Sequence, residues 1–203
     1  MDNHNQDSTY SRLIETGVRL FGEYGYDAVS IRDIVRDSGA NLSAVSYHFG
    51  GKAEMYKAVV GHLLDEVTNQ LREFNAEQFS NMTLPEMEQR LPEIIISFRE
   101  LFCSPNGMAR LNIFVRETTS PDSNLSHTYF LTMINTVRSF FQQILGAYYR
   151  KRGESDDKVN FVISILMSTL KHMPEQRHIP CISAEEREDN MRRLINLIVT
   201  CRL

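Results

Sequence analysis

Residues 30–52 read SIRDIVRDSGANLSAVSYHFGGK, and the fold turns on them. Ser30 and Asp33 form an S-x-x-D start signal: the serine hydroxyl accepts from the amide three residues on, and the carboxylate reaches back to the serine amide. Ile31, Ile34 and Val35 then share one face of a short helix. Ser38-Gly39 ends it, because glycine takes the left-handed conformation that a sharp interhelical turn needs. Asn41 caps a second helix over 42–49, on which Val45 and Phe49 face inward, opposite Ile34 and Val35. Ser43, Ala44, Ser46 and Tyr47 are left pointing outward. The layout is that of a helix-turn-helix, whose second helix enters a DNA major groove. Small outward residues allow close approach to base edges: Ala44 suits a thymine methyl, and Ser43 or Ser46 can bond to either kind of base. Tyr47 and His48, at the end of that helix, can donate to phosphate oxygens. Gly50-Gly51-Lys52 opens a further helix, whose free amides at Gly51, with the Lys52 ammonium beside them, make an anion site.

An αα-hairpin with a glycine turn shares this pattern, so the flanks decide. Upstream, SRLIETGVRLFGEYGYDAVS (11–30) places Leu13, Ile14, Gly17, Leu20, Phe21 and Tyr24 on one helical stripe, closed by Gly25. Downstream, KAEMY (52–56) starts a long helix. The ordered set FGEYGYDAVSIRDIV…SGANLSAVSYHFGGKAEMY resembles the N-terminal domain of the TetR family of transcriptional regulators over about residues 10–60. The resemblance implies an all-α homodimer with two DNA-binding heads and a C-terminal domain that binds a small molecule and controls the spacing of the heads. It implies base-facing roles for Arg32, Leu42, Ser43, Ala44 and Ser46, with Arg32 suited to a bidentate contact with guanine. It implies phosphate contacts at Ser30, Tyr47, His48, Gly51 and Lys52. The chain departs from the family pattern in having Ser46 where many members carry tyrosine, and Gly51 where a serine cap is common. Arg32 also fits a solvated helix charge paired with Asp33 or Asp37.

The chain has 203 residues, 42% of them hydrophobic, which suffices for a compact helical core. Its net charge is −4, and residues 1–60 hold six Lys/Arg against eight Asp/Glu. A nucleic-acid-binding head is expected to carry a basic footprint, so the balance argues against DNA unless Arg32, Lys52 and Lys57 gather on one face. The three cysteines, Cys103, Cys181 and Cys201, lack CxxC spacing, and no signal peptide is evident, which points to the cytoplasm and free thiols. No apolar run approaches the ~18 residues of a membrane span. The first seven residues, MDNHNQD, read as a loose arm.

Beyond the head, helices are expected over about 51–74, 85–102 (with Pro92 a possible kink), 108–118, 120–152, 158–173 and 184–201, with an irregular stretch at 174–183. The architecture is therefore all-α. Residues 1–52 read as the helix-turn-helix domain and 53–203 as an effector-binding and dimerisation domain. In the last two helices, Val162, Leu166, Leu170, Met191, Leu194, Ile195 and Ile198 give wide apolar stripes, which the resemblance places in a four-helix bundle with the twofold mate. In the middle of the chain, Phe98, Phe102, Phe114, Tyr129 and Met133, with Arg116 as a polar group, suit a cavity for a flat hydrophobic effector. No catalytic constellation, cofactor motif or metal-ligand spacing appears: HExxH, GxSxG and a phosphate-cradling glycine loop are all missing, and the six histidines are scattered. The leading expectation is a ligand-responsive, sequence-specific DNA-binding regulator, most simply a repressor released from a pseudo-palindromic operator. The alternative is a helical small-molecule-binding module or enzyme without a DNA role.

Overall fold

The computed structural model describes residues 3–103, 107–119, 127–172 and 184–200, and these residues form helices and turns with no strand among them. The helices are α1 (Asn3–Tyr24), α2 (Ile31–Ser38), α3 (Leu42–Phe49), α4 (Lys52–Glu73), α5 (Ala76–Asn81), α6 (Leu84–Cys103), α7 (Gly107–Thr119), α8 (His127–Lys151), α9 (Asp156–His172) and α10 (Ala184–Thr200). Two differences from the sequence reading stand out. The N-terminal arm is helical from Asn3, since nothing in its polar sequence stops α1 from extending outward. The six-residue α5 fills what reads as a plain break: the Asn75 side chain accepts from the Gln78 amide at 3.0 Å, and Met82 ends the turn in extended conformation. The break before α6 is a cap in its own right, with Glu86 accepting from both the amide and the hydroxyl of Thr83 at 2.7 Å. α6 runs on through Pro92. The expected starts at Ser120-Pro121 and Ser183, and the irregular stretch 174–183, lie outside the described residues.

The chain divides into two compact units, 1–67 with 102–133 and 68–101 with 134–203. Packing therefore cuts the chain differently from the 1–52 and 53–203 division read from sequence, because α7 joins the reading head. In the first unit the core is built from Leu13, Ile14, Phe21, Ile34, Val45, Met55, Val59 and Leu63, all nearly or wholly buried. Tyr24, expected on the apolar stripe of α1, is instead 56% exposed at the end of that helix. α1 lies so close to α7 that a Cβ on Gly22 would stand 2.4 Å from the carbonyl oxygen of Ala109. In the second unit Phe98 meets Phe141 edge-on at 5.2 Å, and Tyr148, Tyr149, Ile144 and Leu145 are buried around α8. Lys151 donates to the carbonyls of Ser80 and Met82, which end α5.

Candidate nucleic-acid interface

The local signals of residues 30–52 build the geometry they predict. Ser30 is in extended conformation, its hydroxyl accepts from the Asp33 amide at 3.2 Å, and Asp33 accepts from the Ser30 amide at 3.0 Å. The Ser30 hydroxyl also donates to the Asp33 carboxylate at 2.5 Å, and this bond, with that from the Ser30 amide and the Arg36 guanidinium nearby, holds the Asp33 carboxyl below its ordinary value. Gly39 closes α2 in the left-handed region at φ 66°. Asn41 caps α3 by accepting from the Ala44 amide at 2.8 Å, and Gly50 closes it at φ 79°. Ile34, Val45 and Phe49 are buried, while Val35 is half-buried. This anchors α3 by one face and turns the other to solvent.

That outer face carries the residues expected to read DNA. Leu42 is 56% and Tyr47 72% exposed, two large side chains on one short helix that no described residue covers. Ser43 and Ser46 are exposed and Ala44 is half-buried. The Ser43 hydroxyl donates to the Asn41 side chain at 2.6 Å, so Ser43 offers a base its lone pairs, not its proton. Ser30 and Arg32 are exposed on α2; Gly51, Lys52 and His48 are half-buried. Sequence alone did not show that Tyr10 of α1 stacks on Phe49 at 5.1 Å and meets His48 edge-on at 5.8 Å. Tyr47 also meets His48 edge-on, at 5.0 Å, so the imidazole contacts two tyrosine rings.

Ion pairing leaves the acidic balance of residues 1–60 unchanged and decides which of its cations stay free. Asp37 is bound by Arg19 at 2.9 Å, Asp33 by Arg36 at 3.0 Å, and Arg36 also reaches Asp37 at 3.2 Å. The carboxylates considered as partners for Arg32 are thus held by other arginines, and Arg32 makes no ion pair among the described residues. The hydrogen bond from Arg19 is the main reason that the Asp37 carboxyl sits below its ordinary value. Lys57, expected to join a basic face, is paired with Glu54 at 2.7 Å. Lys52 lies with Nζ 4.3 Å over the Tyr26 ring and 3.5 Å from the Asp27 carbonyl oxygen, contacts that leave its charge unneutralised.

The residues assigned to an effector fall differently. Phe98 belongs to the second unit and is buried, whereas Phe114, Arg116, Tyr129 and Met133 belong to the first; the side chain of Phe102 lies outside the described residues. Phe114 and Met133 are core, and Tyr129 lies against Gly61. Arg116 donates to the carbonyls of Phe21 and Glu23 at 3.1 and 3.0 Å, where α1 ends. Its guanidinium caps a helix in this conformation. None of these residues lines the cleft of about 700 Å³ in the first unit, which is walled by charged groups of α1, α2, α4 and α7. Across that cleft Arg110 of α7 makes a bidentate pair with Glu66 of α4 at 2.8 and 2.9 Å.

Of the residues assigned to a dimer seam, Val162, Leu166 and Ile195 are already buried within this chain, because both helices also need an inner face. Among the described residues, the large apolar ones left exposed on α9 and α10 are Phe161 and Leu197. The side chains of Leu170, Met191, Leu194 and Ile198 lie outside the described residues. Among the described residues there is no cluster of three metal-ligating side chains, and no helix is long and apolar enough to cross a membrane.

A short helix, a left-handed turn and an exposed second helix anchored by two buried residues define a helix-turn-helix protein. Residues 13–59, which contain every base-facing and phosphate-facing position named above, match the model of the bacterial regulatory proteins of the tetR family. Over these residues the chain is similar to the N-terminal domain of that family. It is 26% identical over 138 residues to YttP of Bacillus subtilis (strain 168), described as a probable HTH-type transcriptional regulator; the match covers 68% of this chain and 63% of YttP. The fold is similar to that of the fatty acid degradation regulator FadR from Bacillus halodurans (TM-score 0.69, 11% identity, 96% of each chain). It is also similar to the regulator FadR from Bacillus subtilis in complex with stearoyl-CoA (TM-score 0.68, 13% identity, 94% of this chain and 98% of that one).

Proposed function

We propose that this protein is a sequence-specific DNA-binding transcriptional regulator, a cytoplasmic homodimer and not an enzyme, which represses from a pseudo-palindromic operator and is released by a small hydrophobic effector. The observation that carries the reading is the uncovered outer face of α3, where Leu42 and Tyr47 stand exposed on a helix whose other face is locked into the core. Residues 1–52 supply the DNA contacts, with Arg32, Leu42, Ser43, Ala44 and Ser46 toward bases and Ser30, Tyr47, His48, Gly51 and Lys52 toward phosphates. Residues 53–203 supply effector binding and dimerisation. The exposed Phe161 and Leu197 extend the proposed seam on α9 and α10. That a protein of the same fold holds stearoyl-CoA supports an effector with a substantial apolar part.

Release follows if the effector prefers a conformer whose heads are wrongly spaced; a coupling of about 1–3 kcal/mol is typical, and effector and operator then weaken each other equally. The test is binding to DNA from upstream of the protein's own gene and to randomised duplexes, at two salt concentrations, beside a Tyr47→Ala/Lys52→Ala variant. Tight, competitor-resistant binding that the variant loses while staying folded is the expected result. Equal, salt-sensitive binding by both proteins, with no sequence recovered from the random pool, refutes the reading and favours a helical binding module without a DNA role.

A further inference from the structure

The end of α7 carries two adjacent charged residues that grip the reading head in different ways. Arg116 holds the last carbonyls of α1. Glu117 is buried, and its Oε1 accepts a 2.6 Å hydrogen bond from the hydroxyl of Tyr56, 61 residues away in sequence and itself buried on α4. The Tyr56 ring meets Phe21 edge-on at 5.0 Å and stands 5.1 Å from Tyr26. Tyr26 is the ring over which the Lys52 ammonium sits, at 4.3 Å. Lys52 and Tyr56 are one helical turn apart, at the first residue of α4 and four beyond it. A buried carboxylate therefore fixes a tyrosine, that tyrosine fixes a second ring, and the second ring fixes the cation at the helix N-terminus.

We propose that Glu117 and Tyr56 are positioning residues for the contact between Lys52 and a DNA phosphate. The inference rests on the DNA-binding reading above. Lysine is a compact cation on a flexible stem, and a phosphate contact normally costs it rotamer freedom. Held over Tyr26, Lys52 has already lost much of that freedom before DNA arrives, so more of the contact appears as affinity. Removing the Tyr56 hydroxyl frees the ring stack from α7 and lets the ammonium wander, without touching any group that meets DNA.

The experiment uses the full chain and a duplex recovered by selection from random DNA, with affinity measured by fluorescence anisotropy over a range of salt. The proteins are wild type, Tyr56→Phe, Glu117→Gln, Glu117→Leu, Lys52→Ala, and Tyr56→Phe combined with Lys52→Ala. Tyr56→Phe is expected to weaken binding about three- to tenfold. The salt slope should stay near that of wild type, because the freed Lys52 still neutralises its phosphate, whereas Lys52→Ala should lower it by about one. In the Lys52→Ala background the same change should have no further effect, since its whole route to DNA is gone. Glu117→Gln keeps an oxygen acceptor and should stay near wild type, whereas Glu117→Leu should behave as Tyr56→Phe does. A purely structural role would instead lower thermal stability and weaken binding equally in both backgrounds. Additive losses, a salt slope that falls as far with Tyr56→Phe as with Lys52→Ala, or Glu117→Gln falling as far as Glu117→Leu overturns the proposal. If wild type recovers no sequence at all, the DNA reading itself fails and this inference goes with it, a result distinct from selective binding without coupling.

Discussion

At Gly22 the separation between two helices is set by a missing atom. An added Cβ would stand 2.4 Å from a backbone oxygen and 2.6 Å from Cα of Ala109, and backbone cannot rotate out of the way. Gly22→Ala should therefore cost about 1–3 kcal/mol despite the better helix propensity of alanine, visible as a lower denaturant midpoint. Gly17 is a softer case, because its clash at 2.7 Å is with the Val59 side chain. The Glu66 carboxylate supplies a second test at this scale. Burial by itself would push its pKa up, but hydrogen bonds from His62 and Arg110, with the Arg110 charge, bring it from 4.5 down to about 2. The depressed folded value means that the unfolded chain takes up the proton first on acidification. Stability from this group is full above about pH 4.5 and drains away as pH falls toward 2. His62 has the opposite sign: the hydrogen bond to Glu66 raises its pKa above 6.5, so its contribution is full below 6.5 and is lost as pH rises through the folded value. Urea midpoints of wild type and Glu66→Gln, compared from pH 2 to 8, should diverge most between about 4.5 and 6.5, converge as pH falls toward 2, and at pH 8 keep the share that Arg110 supplies. A difference that stays constant with pH would mean that the pair does not titrate as a unit.

Among the elements, α2 and α3 were legible because everything that starts and stops them lies within four residues. Ser30, Asp33, Gly39, Asn41 and Gly50 act on neighbouring amides and carbonyls, so their chemistry is written in order along the chain. Asn41→Ala should cost about 1 kcal/mol, because the Ala44 amide loses its acceptor. Operator affinity should fall by more than the change in folded fraction explains, since the base-facing turn frays. Equal loss of stability and affinity would make Asn41 a plain structural cap. The α5 helix was not legible because, although Asn75 caps it as Asn41 caps α3, at six residues it has too few positions to show a period, and the Thr83 start nearby reads as the end of a loop. The loose-arm reading fails over residues 3–7 because polarity is not absence of helix: α1 needs an inner face only further along. Illegible altogether were the contacts that join distant segments: Tyr56 to Glu117, Arg116 to the end of α1, and Lys151 to the end of α5. Arg116 shows the hazard, since an arginine among aromatics reads as a ligand group until the carbonyls it serves are seen.

For the molecule as a whole, the exposed Phe161 and Leu197 carry the consequence that sequence periodicity overstated. A stripe wide enough to wrap most of a helix must serve two surfaces, and the buried share of it, Val162, Leu166 and Ile195, already serves the chain's own core. What remains outside is available to a second copy, and twofold symmetry means that each exposed residue is present twice in a single interface. Phe161→Glu with Leu197→Glu should therefore leave the fold intact and halve the mass measured by light scattering, whereas Val162→Glu should unfold the chain. Loss of the proposed dimer has a definite signature on DNA. Two recognition helices held by one twofold axis read half-sites about 34–36 Å apart, one helical turn or a multiple of it. Inserting about half a turn, roughly 5 base pairs, between the half-sites moves one of them to the opposite face of the duplex, and wild type should lose most of its affinity. The Phe161→Glu/Leu197→Glu protein, binding one half-site at a time, should be weak on both duplexes and indifferent to the insertion. If it keeps wild-type mass and the same sensitivity to spacing, the seam lies elsewhere on the molecule and these two side chains are merely exposed.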